Sequence, residues 1–205
     1  QFGILERLTK SSHRVTGGGD AVDHVVDAFT SLVSGRPQPV GLEVAVNLWT
    51  QDVTGTLPDL APPGHPSPAV DTDAIDRAAK LIASASAPMI VVGGGAQGDS
   101  DLVRQLAART GAPVVAFRTG HGVMPSDDPL SIGMPVAHSL WTNVDLVIGI
   151  GTRLQSQVMS WGHDDDMKII HIDIDETQIG RSAPVDVGIH AVSYTHLTLP
   201  TRSTV

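Results

Sequence analysis

Three places in the sequence put glycine, arginine or aspartate where a phosphorylated ligand could meet them. Gly93-Gly94-Gly95-Ala96 follows the apolar run Met89 to Val92 and precedes a helical pattern. Glycine after a strand lets the backbone approach a ligand and offers N–H groups to phosphate near a helix N-terminus. A tight strand-to-helix turn wants glycine equally, and the run lacks the spaced dinucleotide fingerprint. Gly151-Thr152-Arg153 follows a second apolar run; its guanidinium suits a phosphate bidentately, or a neighbouring Asp. Asp173, in His171-Ile172-Asp173-Ile174-Asp175, closes a third run. An acidic group there suits a ribose hydroxyl, whereas Asp175 is better placed to cap a helix starting near Glu176. Phe117 to Met134, rich in Gly and Pro, reads as a loop at a strand's carboxyl end, where ligands of open α/β sheets sit. Thr119, Gly133 and Met134 belong to that loop and complete the candidate cofactor-binding set: Gly93, Gly94, Gly95, Thr119, Gly133, Met134, Gly151, Arg153 and Asp173.

Other groups carry no chemistry on this reading. His163-Asp164-Asp165-Asp166 is expected to be a solvated acidic loop, because contiguous ligands cannot all reach one ion. The nine His show no HExxH or similar spacing, and Ser156 and Ser160 lack nucleophile-elbow glycines. The absence of Cys removes disulfides, thiolate metal sites and a Cys nucleophile together. No metal ligand and no catalytic residue is assigned.

The elements that must position these residues follow from periodicity. Asp73 to Ala85 reads as a helix, Met89 to Val92 as a strand, and Leu102 to Thr110 as a helix ended by Gly111. Strands are expected at Pro113 to Phe117, Asp145 to Gly151, Lys168 to Asp173 and Val185 to Ile189. Nearly continuous apolar strands alternating with helices indicate a parallel sheet covered on both faces. The fold class is therefore α/β, a Rossmann-like doubly wound domain over 71–191. Aromatics are only 3%, so its core must be built from Val, Ile, Leu and Ala.

Before it, Asp20 to Ser34 has apolar residues at threes and fours and reads as a helix capped by Asp20 and ended by Gly35. Pro39 to Val46 suits a buried strand. Residues 1–50 are thus expected to be the end of a second α/β domain. Pro58, Pro62, Pro63, Pro66 and Pro68 make 51–70 an extended linker. The chain starts at Gln1 in what reads as a continuing structure. Val192 to Thr201 breaks in composition and resembles one reading frame of a transposon-derived sequencing adapter, so 192–205 is expected to belong to no domain. A net charge of -9 without clustered Lys or Arg argues against a nucleic-acid partner, and no apolar run approaches a membrane span. The absence of Cys fits a reducing compartment, and a cytoplasmic location is expected.

Taken in order, these segments resemble the acetolactate-synthase-like branch of the thiamine-diphosphate enzymes. Ser34-Gly35-Arg36-Pro37-Gln38-Pro39-Val40 looks like the "GRPGPV" turn closing the family's pyrimidine-binding domain, and Lys10 like the lysine before it. Ala87 to Gly95 is similar to the opening of the central domain, and Gly120 to Met134 to its "GxGxxPxxHPLxxGM" loop, with Asp128 where His is usual. His171 to Arg181 is close to its last strand and helix. The resemblance implies a 2-oxo acid substrate, a decarboxylase or carboligase activity, a homo-oligomer (dimer or tetramer), and thiamine diphosphate with Mg²⁺ as cofactors. It also implies that the activating glutamate and the GDG-type metal motif lie outside this chain, which alone is expected to be inactive. Flavin-carrying members have "RFDDRVTG" where this chain reads Arg153-Leu154-Gln155-Ser156-Gln157-Val158. The first Arg is kept while both Asp and the second Arg are replaced, and this puts FAD in question. The rival reading is a stand-alone nucleotide-binding module of redox-carrier or deacylase type; it leaves residues 1 to 50 unexplained.

Overall fold

The structure is a computed structural model that describes residues 1–51 and 68–191. The proline-rich segment 52–67 and the tail 192–205 lie outside the described residues, and so do the expectations placed on them. Two compact units result, Gln1–Ser67 and Pro68–Val205.

The first unit runs α1 (Phe2–Leu8), β1 (Ser12–Val15), α2 (Ala21–Val33) and β2 (Gly41–Val44). β1 and β2 pair in parallel from Ser12↔Gly41 to Val15↔Val44. Parallel neighbours need a crossover, and α2 supplies it. The carboxylate of Asp20 turns away from the helix it was expected to cap: it accepts the N–H groups of Thr16 at 3.2 Å and Gly17 at 3.1 Å, closing the preceding loop. The other end of α2 is capped from a distance. Lys10 Nζ donates to the carbonyls of Ser31 (2.7 Å), Ser34 and Arg36 (3.2 Å), placing a cation on the negative end of the helix dipole.

The second unit contains α3 (Thr72–Ser84), β3 (Pro88–Val92), α4 (Ser100–Thr110), β4 (Val114–Ala116), β5 (Ser131–Ile132), α5 (Met134–Leu140), β6 (Leu146–Ile150), α6 (Gln155–Trp161), β7 (Lys168–Asp173) and β8 (Val187–His190). Its six strands lie in the order β5-β4-β3-β6-β7-β8, every neighbouring pair parallel. Strand side chains alternate between faces, and the core divides accordingly. Ile90, Val92, Ile148 and Ile170 pack with Ala78 of α3 and Leu106 of α4 on one face. Met89, Val91, Val147 and Ile169 pack with Ala137 of α5 and Val158 of α6 on the other. Both faces are covered, which is why the strands carry no polar alternation. α5, α6 and β5 were not anticipated: α5 and β5 occupy the segment expected to be loop and the stretch just beyond it.

Candidate functional site

β3 and β6 are adjacent although β4 and β5 intervene in the chain. Connections therefore leave this pair in opposite directions, and a crevice opens at the strands' carboxyl ends, the topological switch point of a doubly wound sheet. The crevice holds about 270 Å³ and is lined by Gly93, Gly94, Arg118, Thr119 and the stretch Gly151 to Gln157, with Phe117 at its side.

Because all strands are parallel, every candidate residue lies at the carboxyl edge. Gly93, Gly94, Thr119, Gly151 and Arg153 line the crevice itself. Gly95 packs behind it, its N–H donating to Gly151 C=O at 3.0 Å. Gly133 and Met134 follow β5, and Asp173 ends β7; none of the three is a lining residue. From β5 to β7 is four strand spacings, ~19 Å at the usual separation, so one ligand would need an extended form to touch both. Met134 is half-buried against the core. Asp173 is buried, and its Oδ1 accepts the Asp175 N–H at 2.9 Å. Asp175 in turn accepts the Thr177 N–H at 3.1 Å, capping the short turn that begins at Glu176.

The glycines divide by role. Gly93 N–H donates to Ile150 C=O at 3.1 Å, and a Cβ on Gly93 would lie 2.3 Å from Gly151 O. A Cβ on Gly151, whose φ is +56°, would lie 2.5 Å from Gly95 Cα. Gly93, Gly95 and Gly151 are thus required by two strand ends packing backbone to backbone, and two of the N–H groups expected for phosphate are already committed. Gly94 is different, since a Cβ there would meet Thr119 Oγ1 at 2.7 Å.

The polar equipment is supplied by side chains. Arg153 is exposed, and among the described residues its guanidinium has no ion pair, so the pairing with a nearby Asp is not formed. Sequence reasoning missed Arg118 and Gln157. Arg118 lines the crevice with φ +48° and its guanidinium 5.1 Å from the Phe117 ring centroid. Leu154, also lining, has φ +52°. Left-handed backbone at non-glycine residues costs about 1–3 kcal/mol and gathers at ligand sites. Gln157 is 1% exposed, and neither its Nε2 nor its Oε1 has a hydrogen-bond partner among the described residues. It stands where the flavin-carrying motif has its second Arg. Its position in that motif was the available signal, but only burial reveals that the amide is unpaired. Leaving such a group unsatisfied costs about 1–3 kcal/mol.

The walls are held from behind. His171 is buried, with Nε2 2.7 Å from Thr152 C=O, and burial pushes its imidazole pKa below the usual range. The neutral ring donates from Nε2 and fixes the Thr152–Arg153 turn. Gln97 Nε2 donates to the carbonyls of Thr119 at 2.6 Å and His121 at 2.8 Å, fixing the other wall. In the acidic loop, Asp164 Oδ1 accepts the N–H groups of Asp166 and Met167, a loop-closing role.

The sequence matches the family described as "Thiamine pyrophosphate enzyme, central domain" over residues 75–198. It is 33% identical to an acetolactate synthase of Mycobacterium bovis over 199 residues, 91% of this chain and 32% of the relative. An acetolactate synthase large subunit of Corynebacterium glutamicum is 34% identical over 203 residues, again 91% and 32%. Acetolactate synthase 1, chloroplastic, of Oryza sativa is 30% identical over 204 residues, 92% and 31%. The chain spans about a third of the length of these curated relatives.

Proposed function

The chain belongs to the thiamine pyrophosphate enzymes, whose central domain it carries, and from that premise we propose that the complete protein is a thiamine-diphosphate-dependent carboligase or decarboxylase of 2-oxo acids. In it, the second unit is the nucleotide-binding middle domain. The first unit is read as the closing part of the pyrimidine-binding domain. A cytoplasmic homo-oligomer completes the proposal; among the described residues no helix is long and apolar enough to cross a membrane. The stand-alone module is the weaker reading, because the similarity to acetolactate synthases extends over 91% of the chain and so includes both units.

The observation that carries the nucleotide reading is the switch-point crevice with, among the described residues, Arg153 unpaired at its mouth and the Gln157 amide unpartnered in its wall. These residues fit a dinucleotide such as FAD. Arg153 and Arg118 would hold phosphates, and the Gln157 amide, closed off in the wall, would meet a planar head carrying a donor and an acceptor by turning into the crevice. Bound there, a flavin would supply redox capacity or structural support; the chain's own part is to bind and orient it.

The residues here do not fit thiamine diphosphate or Mg²⁺. Gly-Asp-Gly does not occur in the sequence. Glu6 and Glu176 are exposed, and Glu43 is paired with Arg14 at 3.1 Å, so none is the buried carboxyl that could protonate a pyrimidine. No catalytic step is assigned to this chain. The test is calorimetry and carbon dioxide release with pyruvate, thiamine diphosphate and Mg²⁺. The complete protein is expected to decarboxylate, whereas the 205-residue chain is expected to show neither turnover nor saturable thiamine diphosphate binding. Tight thiamine diphosphate binding by the chain alone would overturn the division of roles.

A further inference from the structure

The first unit holds a cluster that the nucleotide reading leaves unused. His13 on β1 and His24 and Asp27 on α2 each offer one ligand atom, all within 4.8 Å of one another. His24 and Asp27 are three residues apart on one helix and therefore share a face, and β1 brings His13 to it. The His13 imidazole has a hydrogen-bond partner at Nε2, 3.1 Å from Ser11 Oγ, and His24 Nε2 faces the Asp20 carboxylate at 3.7 Å, a charge contact beyond hydrogen-bond distance. An imidazole with one nitrogen tied to a carboxylate or hydroxyl and the other free is the arrangement found behind metal-ligating histidines. The free nitrogen is present: His24 Nδ1 is buried and has no hydrogen-bond partner among the described residues. A buried ring nitrogen left unpaired calls for an explanation.

We propose that His13, His24 and Asp27 bind a transition metal ion of the zinc class, as a clip between β1 and α2. Two imidazoles and one carboxylate suit zinc and its neighbours, whereas Mg²⁺ and Ca²⁺ want all-oxygen shells. Zinc–nitrogen bonds of about 2.1 Å place tetrahedral donors about 3.4 Å apart. Side-chain rotation closes the remaining gap, most readily at Asp27, which is exposed. Such a clip would hold α2 against β1.

The test uses the whole chain stripped with EDTA. Zinc titration calorimetry is expected to show one saturable site of micromolar affinity or better, and Co²⁺ in its place should give tetrahedral d–d absorption. Zinc should slow amide exchange in α2 and β1 and leave β3, β6 and β7 unchanged. His24→Ala and Asp27→Asn should each weaken binding at least tenfold. His13→Gln, a milder change, guards against a variant that fails to fold, and His163→Ala should bind like the parent. Three results would overturn the proposal: no saturable zinc binding, equal zinc binding by the parent and the cluster variants, or a preference for Mg²⁺ over zinc.

Discussion

The two units handle their apolar residues in opposite ways. In the second, Met89, Ile90, Val91 and Val92 are all fully buried, and every residue of β6 is buried, because helices cover both sheet faces. In the first, α2 has the apolar spacing of a core helix, yet Phe29 is 58% exposed and Trp49, after β2, is 73% exposed. Periodicity therefore reports which face a helix reserves for burial, not whether its partner lies within the same unit. The second unit's buried side chains form one cluster on each sheet face; in the first, the end of α2 is held by the Lys10 cap.

That contrast can be broken by placing the same small substitution in each unit. Gly151→Ala forces a Cβ to within 2.5 Å of the Gly95 backbone at positive φ. Strain and overpacking together should cost at least about 3 kcal/mol, read as a lower urea midpoint for the second unit's transition. Gly35→Ala, at φ +54° with nothing within 4 Å, should cost only about 1 kcal/mol. Equal losses would abolish the distinction. Gln157→Met should act with the opposite sign. By removing an unpaired buried amide it should stabilise the ligand-free second unit by about 1–2 kcal/mol while weakening nucleotide binding. A loss of stability would mean that the amide has an internal partner.

Smaller effects sharpen the comparison. Burial holds the His171 pKa below its ordinary 6.5. The unfolded chain therefore binds the proton first, so this residue's contribution is present above about pH 6.5 and is lost as pH falls toward the folded-state value. The second unit's thermal midpoint should decline across that window, and His171→Gln should flatten the decline. In the first unit, Lys10→Met leaves the last carbonyls of α2 uncapped on an exposed surface. About 0.5–1 kcal/mol is expected, seen as faster exchange at the end of α2 with β6 unaffected.

Much of the second unit was legible because buried parallel strands announce themselves as unbroken apolar runs: β3, β6 and β7 lie where the sequence places them, and so do α3 and α4. α5 and α6 span seven residues each, too few for a helical period to stand out, and α5 opens on Met134-Pro135 directly after a glycine. β5 has two residues and is recognisable only by its pairing with β4. The site was legible as a set of strand ends. Its chemistry was less so, since a glycine needed for a ligand and a glycine needed for another strand's backbone look alike until Gly151 is seen against Gly93 and Gly95. Arg118 and Gln157 needed backbone angles and burial to be noticed.

If the crevice between β3 and β6 is a nucleotide site held by side chains, calorimetric titration of the 205-residue chain with FAD, set beside Arg153→Ala, reads it directly. Saturable one-to-one binding is expected, weakened by about 1.5–3 kcal/mol in the variant, as for a lost charge-assisted hydrogen bond. Absence of saturable binding by the parent chain, or binding that Arg153→Ala leaves unchanged, would contradict it.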